Sequence, residues 1–312
     1  MRVVVTGGAG FIGTHTVDAL LRRGAEVLVI DDLRHASYRG LTPEATLVTC
    51  DVASSVAADA LIDFAPDAVL HLAAQGGVNR SWRAPVEDAR NNVLGTVNML
   101  QSAARAACSR FVLASSGGAL YGSARRLPSS EHDSTAPRSP YGTSKLCAEM
   151  YMQLHERSAD MRVSSLRYGN VYGPGQDGTG EAGVVAITCT RLVRGVAPEI
   201  RGDGLQTRDF VYVEDVAAAN VLTVLGGAVG AFNIGSGVET SVTTVVTTLC
   251  DLAGTQVAPQ HVDAVPHEVR RSVLDITRAR DVLGWQPTTP LDAGLSHTYD
   301  SFDSMARRAR SR

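Results

Sequence analysis

The chain has 312 residues, enough for one large domain or two smaller ones with a substantial core. Its net charge of −3 argues against a nucleic-acid or anionic-membrane partner. The five cysteines are scattered without CxxC spacing, which is typical of reduced thiols and not of disulfides or a metal site. Met1 leads directly into a predicted strand, and no run of about 18 apolar residues follows. We therefore expect a cytoplasmic protein without a membrane span or a catalytic metal.

The first 32 residues have the pattern of a dinucleotide-binding unit. A β-branched run at Val3–Val5 precedes a glycine-rich turn, a helical pattern runs to Gly24, and Val27–Ile30 ends on Asp31. Glycines let a turn adopt φ angles that a Cβ forbids, and the helix N-terminus then attracts an anionic pyrophosphate. An acid at position 31 accepts hydrogen bonds from ribose hydroxyls and repels a 2′-phosphate. The pattern therefore predicts NAD, in preference to NADP.

Strand and helix signals alternate as far as residue 172. The predicted strands cover 46–50, 67–72, 110–115, 161–168, 209–213 and 232–234. The predicted helices cover 54–64, 85–107, 140–157, 184–195, 216–225, 242–253 and 277–283, with a last one from 291. Residues 73–83 and the glycine-rich segment 173–183 are predicted loops. The alternation predicts a Rossmann-type α/β fold with a doubly wound parallel sheet.

The change of rhythm after residue 172 indicates two domains. We expect residues 1–172 to bind the dinucleotide, with later segments near 207–236 returning to that domain. Residues 173–312 would form most of a smaller α/β substrate-binding domain. The basic tail 307–312 ends a helix and is expected to be solvated.

Tyr141 and Lys145 stand four residues apart on a predicted helix, so that both side chains lie on one face. An ammonium group beside a phenol favours the phenolate, and a bound nicotinamide cation adds to that effect. A phenol that ionises near pH 10 can then act as a base closer to neutrality.

With these motifs in place, the chain resembles the extended short-chain dehydrogenase/reductase family and, within it, the NAD-dependent nucleotide-sugar epimerases that interconvert UDP-glucose and UDP-galactose. The matching stretches cover nearly the whole length: TGGAGFIG (Thr6–Gly13), HLAAQ (His71–Gln75), NNVLGT (Asn91–Thr96), ASSGGALYG (Ala114–Gly122), SPYGTSK (Ser139–Lys145), LRYGNVYGP (Leu166–Pro174), GDGLQTRDFVYVEDVA (Gly202–Ala217) and SVLDITRARDVLGWQP (Ser272–Pro287).

The resemblance implies a role for each matched residue. Tyr141 is the catalytic base, Lys145 tunes it and holds the nicotinamide ribose, and Ser116 assists at the sugar. The positions that line NAD are Gly7, Gly10, Phe11, Ile12, Asp31, Asp32, Asp51, Val52, Leu72, Ala73, Ala74, Gln75, Asn91, Ser115, Tyr141, Lys145 and Tyr168. The positions implied to contact the sugar nucleotide are Ser116, Gly117, Tyr141, Asn170, Arg208 and Arg271. For Arg208, a surface ion pair with Asp209 or Glu214 is the alternative to the diphosphate.

Two positions depart from the family pattern. Many relatives carry Ser or Thr four residues before the tyrosine of the YG pair, whereas this chain has Gly117, so Ser116 or a water molecule would replace that hydroxyl. The usual arginine before the 272–287 motif is also missing, at about Val265. Arg270 or Arg271 would then reach the second phosphate.

The resemblance implies NAD-dependent epimerisation of a UDP-hexose at C4: oxidation to a 4-keto sugar, rotation, and return of hydride to the other face. Residues 117–120 contain no acid, which argues against the dehydratase and decarboxylase relatives. A UDP-glucuronate or other modified UDP-sugar substrate is an alternative, with Arg191 and Arg194 available for a carboxylate, and Glu181 in the 173–183 loop could shape the sugar pocket. A non-catalytic NAD-bound scaffold is a second alternative.

The resemblance also implies a homodimer. The helices predicted at 85–107 and 140–157 would form a four-helix interface. The small residues Ala103, Ala104 and Ala107 suit close packing there.

Overall fold

Strands and helices alternate through most of the chain in a computed structural model that describes residues 1–37, 39–124, 126–158, 160–179, 183–255, 257–264 and 269–311. The strands are β1 (Arg2–Thr6), β2 (Glu26–Asp31), β3 (Thr46–Thr49), β4 (Ala68–His71), β5 (Arg110–Ser116), β6 (Arg162–Tyr168), β7 (Asn170–Tyr172), β8 (Glu199–Arg201), β9 (Thr207–Tyr212), β10 (Gly230–Ile234), β11 (Glu239–Ser241) and β12 (Gln260–Val262). The helices are α1 (Phe11–Leu21), α2 (Ser55–Phe64), α3 (Val78–Arg83), α4 (Pro85–Ala89), α5 (Gly95–Arg105), α6 (Gly117–Leu120), α7 (Pro140–Ser158), α8 (Val184–Val193), α9 (Val213–Gly226), α10 (Val242–Leu252), α11 (Thr277–Leu283) and α12 (Leu291–Arg310).

Seven strands form one parallel sheet in the order β10-β6-β5-β4-β1-β2-β3. The two faces of this sheet are both buried, as the first strand shows. Val3 and Val5 pack into the apolar cluster with α1 and α9, whereas Val4 packs on the other side with α2, α5 and α7. All three valines are wholly buried, which explains why this strand is a continuous apolar run. The predicted Rossmann-type fold is confirmed.

A smaller set of elements begins with β7, directly before the glycine-rich segment 173–183, and continues after it. Strands β7, β9 and β11 form a three-stranded sheet, and β8 pairs with β12. Their apolar cluster, which includes Tyr172, Phe210 and Leu249, also takes in residues of α8, α10 and α12. The segment 207–236 divides between the two sheets. Strand β9 belongs to the smaller sheet, whereas α9 packs on α1 and β10 pairs with β6.

Two predicted elements differ from the structure. Residues 78–83 were expected in a loop but form α3, since only Gly76 and Gly77 interrupt the pattern, and α3 ends before Pro85, where a helical conformation is disfavoured. The single helix expected over 85–107 is divided into three pieces, namely α4, a π turn at Arg90–Leu94, and α5. Strands β7, β8, β11 and β12 were missed because each has three residues, too few for an alternating pattern.

Within the described ranges, no helix is both long and apolar enough to cross a membrane.

Candidate active site

The glycine turn between β1 and α1 has a geometry that only glycine allows. Gly7 adopts φ +68°, and a Cβ on it would lie 2.6 Å from the backbone nitrogen of Ala73. A Cβ on Gly13 would collide with the carbonyl oxygen of Gly7, so this glycine brings α1 against the turn. Gly10 is less crowded, because a Cβ there would lie 3.3 Å from the Gly7 carbonyl oxygen and 4.0 Å from that of His35. Gly10 is also partly exposed, beside the N-terminus of α1.

Asp31, at the end of β2, fastens this turn. Its carboxylate accepts hydrogen bonds from the backbone N–H of Ala9 at 3.0 Å and of Leu33 at 2.8 Å. Burial raises the pKa of Asp31, and these two bonds act against that shift. Asp32 is exposed and forms an ion pair with Arg34 at 3.3 Å. The two neighbouring acids therefore have different roles, and Asp31 is the one directed at the turn.

The other residues predicted to line a coenzyme lie along the same edge of the sheet. Leu72, Ala73, Ala74 and Gln75 follow β4, Asp51 and Val52 follow β3, Ser115 and Tyr168 end β5 and β6, Phe11 and Ile12 begin α1, and Asn91 lies in the π turn. In open α/β sheets, ligands bind at this carboxyl edge. Some of these side chains already have protein partners: Asp51 pairs with Arg90 at 3.3 Å, and the Gln75 side chain donates to Asp88 at 3.0 Å.

Helix α7 brings Tyr141 and Lys145 to this edge. The Lys145 Nζ lies 6.0 Å from the centre of the Tyr141 ring and donates to the carbonyl oxygen of Ala114 at 2.9 Å. Lys145 is buried, and it is the only lysine in the sequence. The Tyr141 hydroxyl is hydrogen-bonded to the side chain of Ser116, at the end of β5. A phenol, an amine and a hydroxyl are therefore placed together by two elements.

Burial governs the pKa values of Tyr141 and Lys145 in the protein without NAD. Burial raises the pKa of Tyr141 to about 12, the bond with Ser116 acts against that shift, and Asp88 raises it further. Burial also lowers the pKa of Lys145 to about 8, despite the neighbouring carboxylates Asp88 and Glu149. In the protein without a bound cation, desolvation therefore dominates the pKa values of both groups, and the lowering of the phenol pKa by Lys145 together with a bound nicotinamide cation stays a prediction.

A buried polar cluster that the sequence analysis missed lies beneath α7. Asn92 donates from Nδ2 to Asp88 at 3.0 Å and to Ser144 at 3.1 Å, and its Oδ1 accepts from the backbone N–H of Gln75 at 2.8 Å. The Ser144 hydroxyl donates to the backbone oxygen of Tyr141 at 2.9 Å. The cluster therefore connects the loop after β4 to the turn of α7 that carries the phenol. The sequence signal for this cluster is the four-residue spacing of Asp88 and Asn92, which places both side chains on one face of a helix.

His71, at the end of β4, extends this support. Its ring nitrogens contact the hydroxyls of Thr6 at 2.7 Å and Thr96 at 3.1 Å, and Thr96 itself donates to the Asn92 carbonyl oxygen at 2.6 Å. The backbone N–H of Ala73 donates to the Thr6 hydroxyl at 3.2 Å. This pattern assigns the ring proton to Nε2. Burial lowers the pKa of His71 to about 3, so the ring is neutral and structural.

Ser115 and Ser116, the last two residues of β5, differ in their contacts. The Ser115 hydroxyl is buried and has no hydrogen-bond partner among the residues that the structure describes, whereas Ser116 contacts Tyr141. At Gly117, a Cβ would lie 2.7 Å from a methyl group of Leu274, so a serine at this position has no room unless Leu274 moves. Leu274 therefore occupies the space that a hydroxyl-bearing side chain at 117 requires, and Ser116 presents the hydroxyl nearest to the phenol.

Tyr168, predicted to line the coenzyme, is buried, and its hydroxyl is engaged by the protein. Its hydroxyl donates to Asn220 at 2.5 Å, and Asn220 donates to Thr16 of α1 at 3.0 Å. Burial raises the pKa of Tyr168. The hydroxyl therefore connects β6, α9 and α1, and the ring is the part of this residue that is left for a ligand.

The residues predicted to hold a diphosphate lie on the smaller set of elements. Arg208 in β9 is half-buried, and its Nη1 donates to the carbonyl oxygen of Thr207 at 2.7 Å. The Asp209 carboxylate is engaged by Ser236, Gly237 and Leu274, which disfavours the alternative of an Arg208–Asp209 ion pair. Asn170 begins β7, and its Oδ1 lies 3.7 Å from the Cβ position of Gly118.

Arg271 and Arg270, the two candidates for the second phosphate, are both ion-paired. Arg271 binds Glu239 through two nitrogens, each at 2.6 Å, and Arg270 binds Asp203 in the same way at 2.7 and 2.6 Å. Val265 and Glu181, which the sequence analysis also singled out, lie outside the described residues.

Comparisons with known proteins agree with this architecture. The family model described as "NAD dependent epimerase/dehydratase family" matches residues 3–235. A UDP-glucose 4-epimerase of Mycolicibacterium smegmatis is 40% identical over 98% of this chain and 100% of its own length. A UDP-glucose 4-epimerase of Thermotoga maritima, solved with UDP-glucose, has a TM-score of 0.95 and 38% identity over 98% of this chain and 99% of that chain. The Thermus thermophilus UDP-glucose 4-epimerase, solved with NAD, has a TM-score of 0.92 and 37% identity, covering 97% and 99% of the two chains. The chain therefore belongs to the NAD-dependent epimerase/dehydratase family.

Proposed function

We propose that this protein is an NAD-dependent 4-epimerase of UDP-hexoses that interconverts UDP-glucose and UDP-galactose. The observation that carries the proposal is the placement of Tyr141 against Ser116 and beside Lys145, at the sheet edge that the glycine turn shares. Full-length similarity to two proteins named UDP-glucose 4-epimerase supports the choice of sugar.

The residues at this edge fit NAD. Gly10 is partly exposed beside the N-terminus of α1, where backbone N–H groups and the helix dipole favour an anion such as a diphosphate. Asp31 keeps unused lone pairs for ribose hydroxyls, and the buried Ser115 hydroxyl lacks a partner that a bound ligand can supply. When bound, NAD supplies the reversible hydride acceptor for the sugar C4 and a positive ring charge that favours the phenolate of Tyr141.

The chain's own residues handle the proton and the position of the sugar. Tyr141 takes the proton from the 4-hydroxyl and returns it after the sugar has turned over. Ser116 holds the phenol by its hydrogen bond and offers its hydroxyl to the 4-oxygen. The Lys145 amine donates to the Ala114 carbonyl oxygen and lies on the same face of α7 as Tyr141. A general base placed in this way contributes about 10²- to 10⁴-fold to the rate.

The diphosphate end holds the substrate while the sugar turns. Arg208 offers a planar cationic fork suited to a phosphate, and Asn170 adds an amide beside Gly118. Because the grip is on the diphosphate, the 4-keto sugar can rotate between the two half-reactions. Arg271 can join this grip only by exchanging its partner Glu239.

The alternatives have less support. Arg191, a candidate partner for a glucuronate carboxylate, donates to the carbonyl oxygen of Ala197 at 2.6 Å and pairs with Glu199 at 3.0 Å. Some relatives are dehydratases or decarboxylases, at 34% and 31% identity. Helix α6, directly after the serine strand, has the sequence GGAL and offers no acid for that chemistry.

We also propose that two copies associate through the helices beside α7. The described parts of α3, α4, the π turn and α7 carry exposed apolar side chains, among them Trp82, Val86, Leu94, Met150 and Leu154. Val86 is 82% exposed, and exposing an apolar side chain to water in this way is unfavourable in an isolated subunit. The predicted contribution of Ala103 is wrong, because this side chain is wholly buried in the chain's own core. Light scattering should give a dimer mass that Val86→Glu lowers to that of a monomer, and a wild-type monomer would reject the proposal.

The division into a coenzyme domain over 1–172 and a sugar-nucleotide domain over most of 173–312 stays a proposal. The separate apolar cluster that includes Phe210 and Leu249 supports the division, but β7 (Asn170–Tyr172) pairs in the smaller sheet and so departs from the expected boundary at 172. The return of α9 and β10 to the large sheet supports the expected exception. The cytoplasmic location stays a prediction.

A substrate panel tests the proposed function. The purified enzyme is incubated separately with UDP-glucose, UDP-galactose, UDP-N-acetylglucosamine and UDP-glucuronate, and the products are separated by chromatography. We expect UDP-glucose and UDP-galactose to yield the same equilibrium mixture from either side. Turnover of UDP-glucuronate alone would transfer the function to that alternative. No 4-epimer from any of these sugars would favour the non-catalytic scaffold.

A further inference from the structure

Two loops meet across the end of β1. The loop after β2 carries His35, and the chain after β4 enters α3, which carries Arg80. In the sheet, β1 lies between β2 and β4. The Nη1 group of Arg80 donates to Nε2 of His35 at 2.8 Å. This contact therefore spans the end of β1, where the glycine turn begins.

The loop that carries His35 is held close to that turn. The backbone N–H of Ser37 donates to the carbonyl oxygen of Ala9 at 2.7 Å, and the Ser37 hydroxyl donates to the carbonyl oxygen of Gly175 at 2.9 Å. The carbonyl oxygen of His35 lies 4.0 Å from the Cβ position of Gly10. The backbone of His35 is therefore next to Gly10.

Arg80 is held in an orientation suited to this place. Its second terminal nitrogen, Nη2, pairs with Glu87 at the start of α4 at 2.6 Å, and both side chains are about one-third exposed, 35% and 37%. Glu87 therefore fixes one edge of the guanidinium while Nη1 faces the loop after β2. A guanidinium has five N–H donors in one plane, so it can donate to a phosphate oxygen as well as to protein acceptors.

The charge at this place also calls for a cation. A diphosphate on the glycine turn has two negative charges, whereas the N-terminus of α1 offers about half a positive charge. Asp31 at the end of β2 and Asp32 directly after it add negative charge near the turn. A guanidinium that crosses the end of β1 offsets this imbalance.

We propose that Arg80, steadied by His35 and Glu87, forms a strap across the coenzyme's diphosphate, with the guanidinium donating to a phosphate oxygen. The strap closes the coenzyme cleft between the loops after β2 and β4. Its role is retention, because an epimerase must keep the same coenzyme through oxidation and reduction of one sugar. The proposal rests on NAD as the coenzyme of the family and is independent of which sugar is the substrate.

Coenzyme retention tests the strap without reference to turnover. Holoenzyme is diluted, and the NAD that appears in ultrafiltrates is followed over time for the wild type, Arg80→Gln and the control Arg83→Gln on the same helix. Loss of a charge-assisted bond predicts release about 10- to 100-fold faster for Arg80→Gln. Arg83→Gln should release NAD at the wild-type rate. Equal rates for Arg80→Gln and the wild type would overturn the proposal.

A second measurement locates the effect at the diphosphate. Titration calorimetry on protein stripped of coenzyme compares ADP-ribose, which has the diphosphate, with adenosine, which has none. Arg80→Gln should weaken ADP-ribose about 10-fold or more and leave adenosine unchanged. Equal weakening of both ligands would show a displaced loop and reject the strap. If Arg80→Gln does not fold, His35→Ala replaces it, with a loss of about threefold or more expected and an unchanged affinity contradicting the proposal.

Discussion

The two ends of the candidate site hold their functional groups in different ways. At the proton-transfer end, Lys145 is 3% exposed, and the turn carrying Tyr141 rests on hydrogen bonds from Ser144 and Asn92. At the diphosphate end, the side chain of Arg271 is 59% exposed and is held by one carboxylate. Buried polar groups that lose a partner cost about 1–3 kcal/mol, whereas an exposed ion pair contributes about 0–1 kcal/mol. The proton-transfer end is therefore rigid, and the diphosphate end can exchange partners.

The difference suits the chemistry required of each end. A base must meet one hydroxyl at hydrogen-bond distance, and small displacements there reduce the rate strongly. A grip on a diphosphate must instead release one sugar nucleotide and accept another. Substitutions at the two ends should therefore affect different kinetic constants, kcat at the buried end and KM at the exposed one.

The largest effect is expected for Tyr141→Phe, which removes the base and leaves the ring. We expect kcat for UDP-galactose to fall by about 10³-fold or more, since general-base catalysis and the bond with Ser116 are lost together. The bound NAD should remain, because the phenyl ring still fills the same space. A coupled assay for UDP-glucose and the absorbance of the purified protein measure the two quantities. A variant with near-normal kcat would remove Tyr141 from the mechanism.

Lys145 allows the buried end to be examined directly, because it is the only lysine. Burial lowers its pKa from 10.5 to about 8, so lysine labelled with ¹³C should give one side-chain resonance that titrates near pH 8. NAD binding should lower this pKa further, since the bound cation repels the ammonium. A midpoint near 10.5 would show that the amine is exposed to water.

The same shift makes stability depend on pH. The folded protein holds this pKa below that of the unfolded chain, so the unfolded chain binds more protons between about pH 8 and 10.5. Lys145 therefore contributes a rise in the free energy of unfolding of about 2 kcal/mol from pH 7 to 10, which opposes the fall contributed by buried Cys108 and Cys189, whose pKa values are raised by burial. Urea titrations of the wild type and Lys145→Met isolate this contribution: relative to the wild type, the variant without the amine should lose stability as the pH rises from 7 to 10. Above pH 10, the raised pKa of Tyr141 acts in the opposite direction, so the comparison ends there.

The buried end was also the more predictable from sequence, for a physical reason. The glycine turn, Asp31 and the Tyr141–Lys145 spacing follow from local backbone requirements and helical periodicity, which short stretches of sequence carry. The supports of the pair were not predicted. Asn92, Ser144 and His71 meet only through tertiary contacts between residues up to 65 positions apart, such as Thr6 with His71. The burial that raises the pKa of Tyr141 in the absence of NAD was not predicted either, because burial is a property of the folded chain.

Substitutions at Ser115 and Ser116 test which hydroxyl replaces the one that is missing at Gly117. Ser116→Ala should lower kcat by about 10-fold, because it removes a hydrogen bond to the phenol. Ser115→Ala should leave the pH dependence of kcat unchanged, since its hydroxyl contacts no described group. Gly117→Ser should not restore Ser116→Ala unless Leu274 is shortened as well, because the new Cβ meets a Leu274 methyl group at 2.7 Å. Restoration by Gly117→Ser alone would contradict this packing argument.

The smallest effect is expected at Arg271, and it separates the two arginines of the exposed end. Arg271 must leave both oxygens of Glu239 to reach a phosphate, so the gain in one ion pair offsets the loss of another. Arg271→Gln should therefore raise KM for UDP-galactose by about threefold or less, whereas Arg208→Gln should raise it about 10-fold or more. Glu239→Gln releases Arg271 and should lower KM if that guanidinium reaches the substrate. An Arg271→Gln effect as large as that of Arg208→Gln would mean that the exposed ion pair breaks when the substrate binds and that both arginines hold the diphosphate.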